Sequence, residues 1–292
     1  MSSARLQPLE RPEFVREVDT ASTEVDVEVT LTPWERLYRM DAVRQATLLV
    51  ILAAIWQAYA VFVANPLILP TFSDTIDALW TGFIDGPLLL RAWTSIRLLI
   101  AGYVTGIGFA LLLTFLAIST RIGTDLLGLL TAMFNPLPAI ALLPLALLWF
   151  GIGEKSLIFV LVHAVLWPLA LNTYSGFRGV SETLRLTGQS FGLEGLRFAL
   201  KILVPAAFPA ILTGLKIAWA FAWRTLIAAE LVFGVSSGSG GLGWYIFENR
   251  NQLEIANVFA GLLTVIALGL LVEGVIFRAI ERATVRRWGM QH

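Results

Sequence analysis

Residues 201–215 read Lys201-Ile202-Leu203-Val204-Pro205-Ala206-Ala207-Phe208-Pro209-Ala210-Ile211-Leu212-Thr213-Gly214-Leu215, and the apolar run they open continues to residue 233. A run of this length exceeds the roughly 20 apolar residues needed to cross a hydrocarbon core. Its prolines sit at the start, where a helix tolerates them because the first amides have no intrahelical partner. The preceding connection, residues 176–204, is too polar to span and carries Gly192-Leu193-Glu194-Gly195 inside otherwise helical sequence. Gly192 suits a turn between two short helices, since glycine adopts positive φ at little cost. Two surface helices joined by a glycine turn and locked by prolines to a membrane span form a docking surface for a partner.

Five more runs are long enough to cross a bilayer: 43–63, 92–118, 124–150, 155–175 and 256–277, which with 205–233 make six. Asn135, Pro136, Pro138 and Pro144 interrupt the third and Pro168 the fourth. Backbone groups freed by those prolines need neighbouring helices to satisfy them, so both segments belong inside the bundle. Residues 66–87 carry an amphipathic stretch with Asp74 and Asp77, read as a surface helix. The composition agrees: 57% hydrophobic and 14% charged residues depart from the ~45–50% and ~25% of soluble domains. The fold class is an all-α polytopic membrane protein with six transmembrane helices. Residues 1–41 are expected to be a cytoplasmic tail, largely disordered, whose Trp34, Leu37 and Tyr38 either form a surface helix or lead into the first span. Residues 42–288 form the transmembrane domain and 289–292 a short tail.

Basic residues orient the chain. With the N-terminus inside, the inner segments hold 15 of the 21 lysines and arginines and the outer segments three (Arg91, Lys155 and Arg250). That bias places both termini in the cytoplasm. Several chemistries are excluded as well. No cysteine is present, and two histidines, His163 and His292, cannot build a metal cluster, so no catalytic or metal-binding residue is assigned. The zero net charge gives no footing for nucleic acid. Gly151-Ile152-Gly153-Glu154-Lys155-Ser156 lacks the glycine before the lysine that a phosphate-cradling loop needs, so nothing here binds and hydrolyses ATP.

With these features, the chain resembles the permease subunits of bacterial ATP-binding-cassette (ABC) importers, specifically the nitrate/sulfonate/taurine branch. The signature of that family is Glu-Ala-Ala, a Gly after three intervening residues, and Ile-x-Leu-Pro beginning ten residues after the Gly. Gly192, Ile202 and Pro205 keep that spacing, with Val204 in place of Leu, while the opening triplet is Leu186-Thr187-Gly188 and lacks the acidic residue. The runs Pro136–Pro144, Trp149–Glu154, Ala228-Ala229-Glu230, Gly241–Trp244 and Ile280-Glu281-Arg282 with Trp288 extend the likeness over roughly 65–288. The resemblance implies a type I importer permease fold in the bacterial inner membrane, working as a homodimer. It implies a periplasmic substrate-binding protein and separate ATPase subunits that carry the ATP and magnesium, leaving no cofactor on this chain. It also makes 176–204 the coupling loop, with Leu186, Thr187, Gly188, Gln189, Ser190, Phe191, Gly192 and Glu194 against the ATPase.

Ionisable side chains within spans cost at least ~2.5–3.5 kcal/mol when they face lipid, which makes them candidates for a pathway. Lys216, Arg224 and Glu230 lie in the fifth span, and Trp219 and Trp223 share one of its faces. Arg224 flanked by a tryptophan would favour an anion such as a sulfonate, a carboxylate or nitrate. The competing reading pairs Arg224 with Glu230 or Glu273 and treats the tryptophans as packing. Lys216 either lines the path or snorkels inward, and His163 is either proton-linked or a buried packing histidine. Arg97 reads as an anchor, and Gly234–Gly243 as an outer loop. The alternative function is an ion-coupled secondary transporter using Glu230 and Glu273.

Overall fold

Every regular element among the described residues is helical, as expected where backbone groups must be satisfied within their own segment in lipid. The computed structural model describes residues 40–193, 195–233 and 240–287. The expected tail with its Trp34 piece, Glu194, most of the outer glycine loop and residues 288–292 lie outside them. The chain divides into two units, 1–52 and 53–292, and α1 (Asp41–Val63) runs from the first into the second.

Within the second unit, α2 (Phe72–Ile84) begins at Thr71, whose hydroxyl accepts from the Asp74 amide at 3.1 Å. This matches the helix expected between spans one and two. Next come α3 (Leu88–Ser119), α4 (Arg121–Phe134), a 3-10 turn (Ala139–Leu142) leading into α5 (Leu143–Phe150), and α6 (Glu154–Arg178). The connection between α6 and α9 contains α7 (Glu182–Ser190) and α8 (Gly195–Phe198), and a π turn (Ala199–Leu203) carries α8 into α9 (Val204–Phe233). After α10 (Leu242–Asn251), α11 (Ile255–Leu271) continues through two π turns and α12 (Arg278–Glu281) to Arg286.

Among the described residues, five helices are long and apolar enough to cross a membrane: Asp41–Val63, Leu88–Ser119, Glu154–Arg178, Ala199–Val232 and Ile255–Val285. The sixth expected run is a bent pair, Arg121–Phe134 and Ala139–Phe150, meeting at 87°. The bend has a covalent cause. Pro136 and Pro138 offer no amide to the carbonyls of Ala132 and Phe134, and the Leu137 amide turns back to Phe134 O at 3.2 Å.

The core lies along α6, which packs against α3 on one side and α9 on the other. Small residues allow that closeness. A methyl added at Gly106 of α3 would meet Val165 Cβ at 2.7 Å, and one at Gly214 of α9 would meet Asn172 Cβ at 2.8 Å. Where apolar lipid removes the hydrophobic drive between helices, such backbone approach supplies the dispersion contacts that hold them together. α10 was not anticipated from sequence. Its ten residues, Leu-Gly-Trp-Tyr-Ile-Phe-Glu-Asn-Arg-Asn, place apolar side chains on more than one face, yet it is the set at helical spacing, Leu242, Tyr245, Ile246 and Asn249, that is buried.

Candidate functional site

The right-angle break between α4 and α5 opens a cavity of about 610 Å³. Its walls are residues 135–140 of the break, the middle of α6 from His163 to Asn172, and one face of α9 comprising Ile217, Phe221, Arg224, Thr225 and Ala228. Irregular backbone at membrane depth is tolerated where it lines such a space rather than lipid, and discontinuous helices bring polar backbone to transport sites for this reason.

Arg224 supplies the only charged side chain of that lining, and no carboxylate shares it. Its Nε donates to Ala220 O at 3.1 Å and its guanidinium lies 5.4 Å from the Phe221 ring centre. It has no ion pair among the described residues. His163 stands edge-on to Phe134 and Trp167, and neither of its buried ring nitrogens has a hydrogen-bond partner among the described residues. Asn172, one turn beyond the helix proline, donates its side-chain amide to Pro168 O at 2.7 Å. The result is an apolar, aromatic-walled space with one fixed positive charge.

The structure separates the other residues expected along this path. Trp219 sits edge-on to Tyr103 at 5.4 Å and faces Phe277, and Trp223 is buried in the main core. Both point to the packing side of α9 because Trp223 and Arg224, consecutive on a helix, diverge by about 100°. Lys216 pairs with Glu281 at 2.6 Å and lines a different cavity of about 620 Å³ with Glu273, Arg278 and Arg282. Arg97 pairs with Glu154 at the start of α6, consistent with an anchor.

Glu230 is enclosed in a different way, with 1% of its surface exposed. Its carboxylate accepts from Ser95 Oγ at 3.0 and 2.8 Å and from the Gly243 amide at 2.9 Å, while Ser95 Oγ accepts from the Leu242 amide at 2.8 Å. Arg91 donates to Gly240 O at 2.9 Å and to Glu248 at 3.3 Å. These bonds clamp the start of α10 onto α3 and α9. A methyl added at Gly241 would collide with Ser95 Oγ and the Glu230 carboxylate. Glu230 therefore partners neither Arg224 nor a cavity. The two short runs Ala228–Glu230 and Gly241–Trp244, separate in sequence, are the two halves of one clamp.

On the connection between α6 and α9, Gly192 has φ +69°, as the turn reading requires. Ser181 caps α7 by accepting from the Leu184 amide at 3.4 Å. Leu186, Thr187, Gln189, Ser190, Phe191 and Gly192 are exposed, Phe191 at 80%. Gly188 is buried against Phe198 and Ile202.

A family model described as "Binding-protein-dependent transport system inner membrane component" matches residues 102–288, well over half of the chain. SsuC of Escherichia coli (strain K12), a permease protein named for aliphatic sulfonate transport, is 31% identical over 237 residues, covering 80% of this chain and 88% of its own. The taurine transport system permease protein TauC of the same strain is 28% identical over 254 residues, 84% and 90% of the two chains. The nitrate import permease protein NrtB of Synechocystis sp. (strain PCC 6803) is 27% identical over 254 residues, 82% and 89%. With a family model matched over most of its length and these relatives aligned along about four fifths of it, the chain belongs to the inner-membrane components of binding-protein-dependent transport systems, as an ABC transporter permease of the nitrate/sulfonate/taurine group.

Proposed function

We propose that two copies of this chain form the translocation pathway of an ATP-driven importer for a small anionic solute, and that the cavity at the helix break is where the solute meets the membrane domain. The observation that carries this reading is the cavity's electrostatics: a single guanidinium, no acidic lining residue and apolar walls. An arginine cannot shed its charge in a protein, and an oxyanion that lost its water in this space would find its counter-charge in Arg224. Relatives named for sulfonates, taurine and nitrate handle solutes that each carry an oxyanion, which supports the same class here. The solute is delivered on the outer side by a binding protein. ATP and magnesium reside on separate ATPase subunits that dock through residues 176–204, and both termini face the cytoplasm. The excess of inner over outer basic residues supports that orientation.

Arg224→Gln tests the reading in proteoliposomes containing the permease, its ATPase and its binding protein. Charge-assisted hydrogen bonds contribute ~1.5–3 kcal/mol each, so losing one lowers the transport rate or raises the apparent KM about 10- to 100-fold. Unchanged KM and rate for the transported anion would remove Arg224 from the pathway.

A further inference from the structure

The helix assigned above to ATPase contact has a second face that is fixed to both of the helices lining the cavity. Arg185 and Gly188 are three apart in α7 and share that inner face. Leu186, Thr187 and Ser190 project from the opposite, exposed side.

Arg185 reaches back across the turn after α6. Its Nε donates to Val180 O at 3.2 Å and its Nη2 to Phe177 O at 2.5 Å. Carbonyls at a helix C-terminus lack intrahelical donors and carry the negative end of the macrodipole, so a partly buried guanidinium is well matched to them. Gly188 is held on the other side. A methyl there would stand 2.8 Å from the Phe198 ring and 3.1 Å from Ile202 Cγ1, and Phe198 and Ile202 lead without interruption into α9. Beneath both contacts lies a small core of Phe177, Val180, Leu203 and Ala207 shared by the end of α6 and the start of α9. The two helices press together again at Gly176, where a methyl would meet Ala210 Cβ at 2.7 Å. α6 carries His163 and α9 carries Arg224 into the cavity.

We propose that Arg185 is a positioning residue for transport: it ties the docking helix to the end of α6, while Gly188 seats the same helix on the start of α9, so that a displacement of α7 moves both cavity walls together. The proposal rests on the reading of residues 176–204 as the ATPase contact. It accounts for a cation pointing away from the partner-facing surface, towards the membrane domain. Packed elements shift as units rather than deforming continuously, and two independent attachments make α6, α7 and the start of α9 one such unit.

The test uses the whole complex of permease, ATPase and binding protein in proteoliposomes, with Arg185→Ala and Arg185→Lys. The quantity read is solute transported per ATP hydrolysed. For Arg185→Ala we expect the ATPase subunit retained, hydrolysis within about twofold of wild type, and transport per ATP reduced at least fivefold. Arg185→Lys, which can still donate to the same carbonyls, should recover at least half of the loss. Transport and hydrolysis falling in parallel, with an unchanged ratio, would make the contact merely structural and overturn the proposal, as would a normal ratio. If Arg185→Ala fails to assemble, the same ratio is read from Arg185→Gln. Failure of that variant too would make Arg185 a folding residue and also overturn the proposal. Absence of any ATPase from the wild-type complex would instead remove the docking reading itself.

Discussion

Ser95→Ala probes the outer clamp with one missing oxygen. In the wild-type chain Ser95 Oγ donates to the Glu230 carboxylate and accepts from the Leu242 amide, at 2.8 Å in each case, and Ser95 and Leu242 are fully buried. Alanine removes a hydrogen bond to a charged group, ~1.5–3 kcal/mol, and leaves a buried amide without its acceptor, ~1–3 kcal/mol. The sum is about 2.5–6 kcal/mol. For a chain of this size ~2 °C of Tm accompanies each kcal/mol, so the variant should melt about 5–12 °C lower in detergent, followed by tryptophan fluorescence. Protease sensitivity near Gly240 should rise with it, because the clamp is what holds the start of α10. Ser119→Ala is the control. That hydroxyl bonds Phe115 O at 2.7 Å on an exposed surface and its loss should shift Tm by no more than about 1 °C. A Ser95→Ala protein that melts within 1 °C of wild type, or no lower than the control, would refute the clamp.

Two glycine substitutions separate backbone conformation from packing. Gly192→Val places a β-branched residue at φ +69° with open space around it. Its cost of ~1–2 kcal/mol is therefore conformational, and should reduce ATPase retention in pull-downs while leaving the Tm of the isolated permease within a few degrees. Normal retention and transport would refute the turn as a docking element. Gly214→Val drives a branched side chain into Asn172 and Leu169. Overpacking of this kind costs ~1–3 kcal/mol, so Tm should fall by several degrees and transport should drop because α6 and α9 separate at the cavity. An unchanged Tm would refute their close packing.

How far the sequence could be read depended on distance along the chain. Hydropathy located the spans within a few residues, for example 155–175 against Glu154–Arg178, because the bilayer imposes a length that composition must meet. Pro136 and Pro138 announced a break, although only the coordinates give its 87° angle. The positive φ of Gly192 followed from residue type and context. The clamp was not legible as such: Ser95 and Glu230 lie 135 residues apart, and nothing local marks a serine on one helix as the partner of a glutamate on another. Trp219 and Trp223 were grouped with Arg224 by their nearness in sequence. A helix turns neighbouring residues to different faces: Trp219 belongs with Tyr103 and Phe277, and Trp223 with the buried core. α10 escaped notice because its buried face, Leu242, Tyr245, Ile246 and Asn249, is interleaved with Trp244 and Phe247, so the apolar residues do not confine themselves to one side in sequence.

The clamp also has a place in time. Its components leave the ribosome in a fixed order: Ser95 first, Glu230 135 residues later and the Leu242 and Gly243 amides last. At ~5–20 residues per second, Ser95 waits roughly 7–27 s for its carboxylate. Glu230 then has one of its partners until Gly243 is made and placed. Before that, the Glu230 carboxyl lacks the Gly243 amide that completes its hydrogen bonding. Afterwards three segments inserted separately are bound to one another, and none can slip without breaking bonds to the other two. The last turn of translated sequence to reach the clamp is thus a closing step in biogenesis, after which the arrangement of spans is mechanically committed.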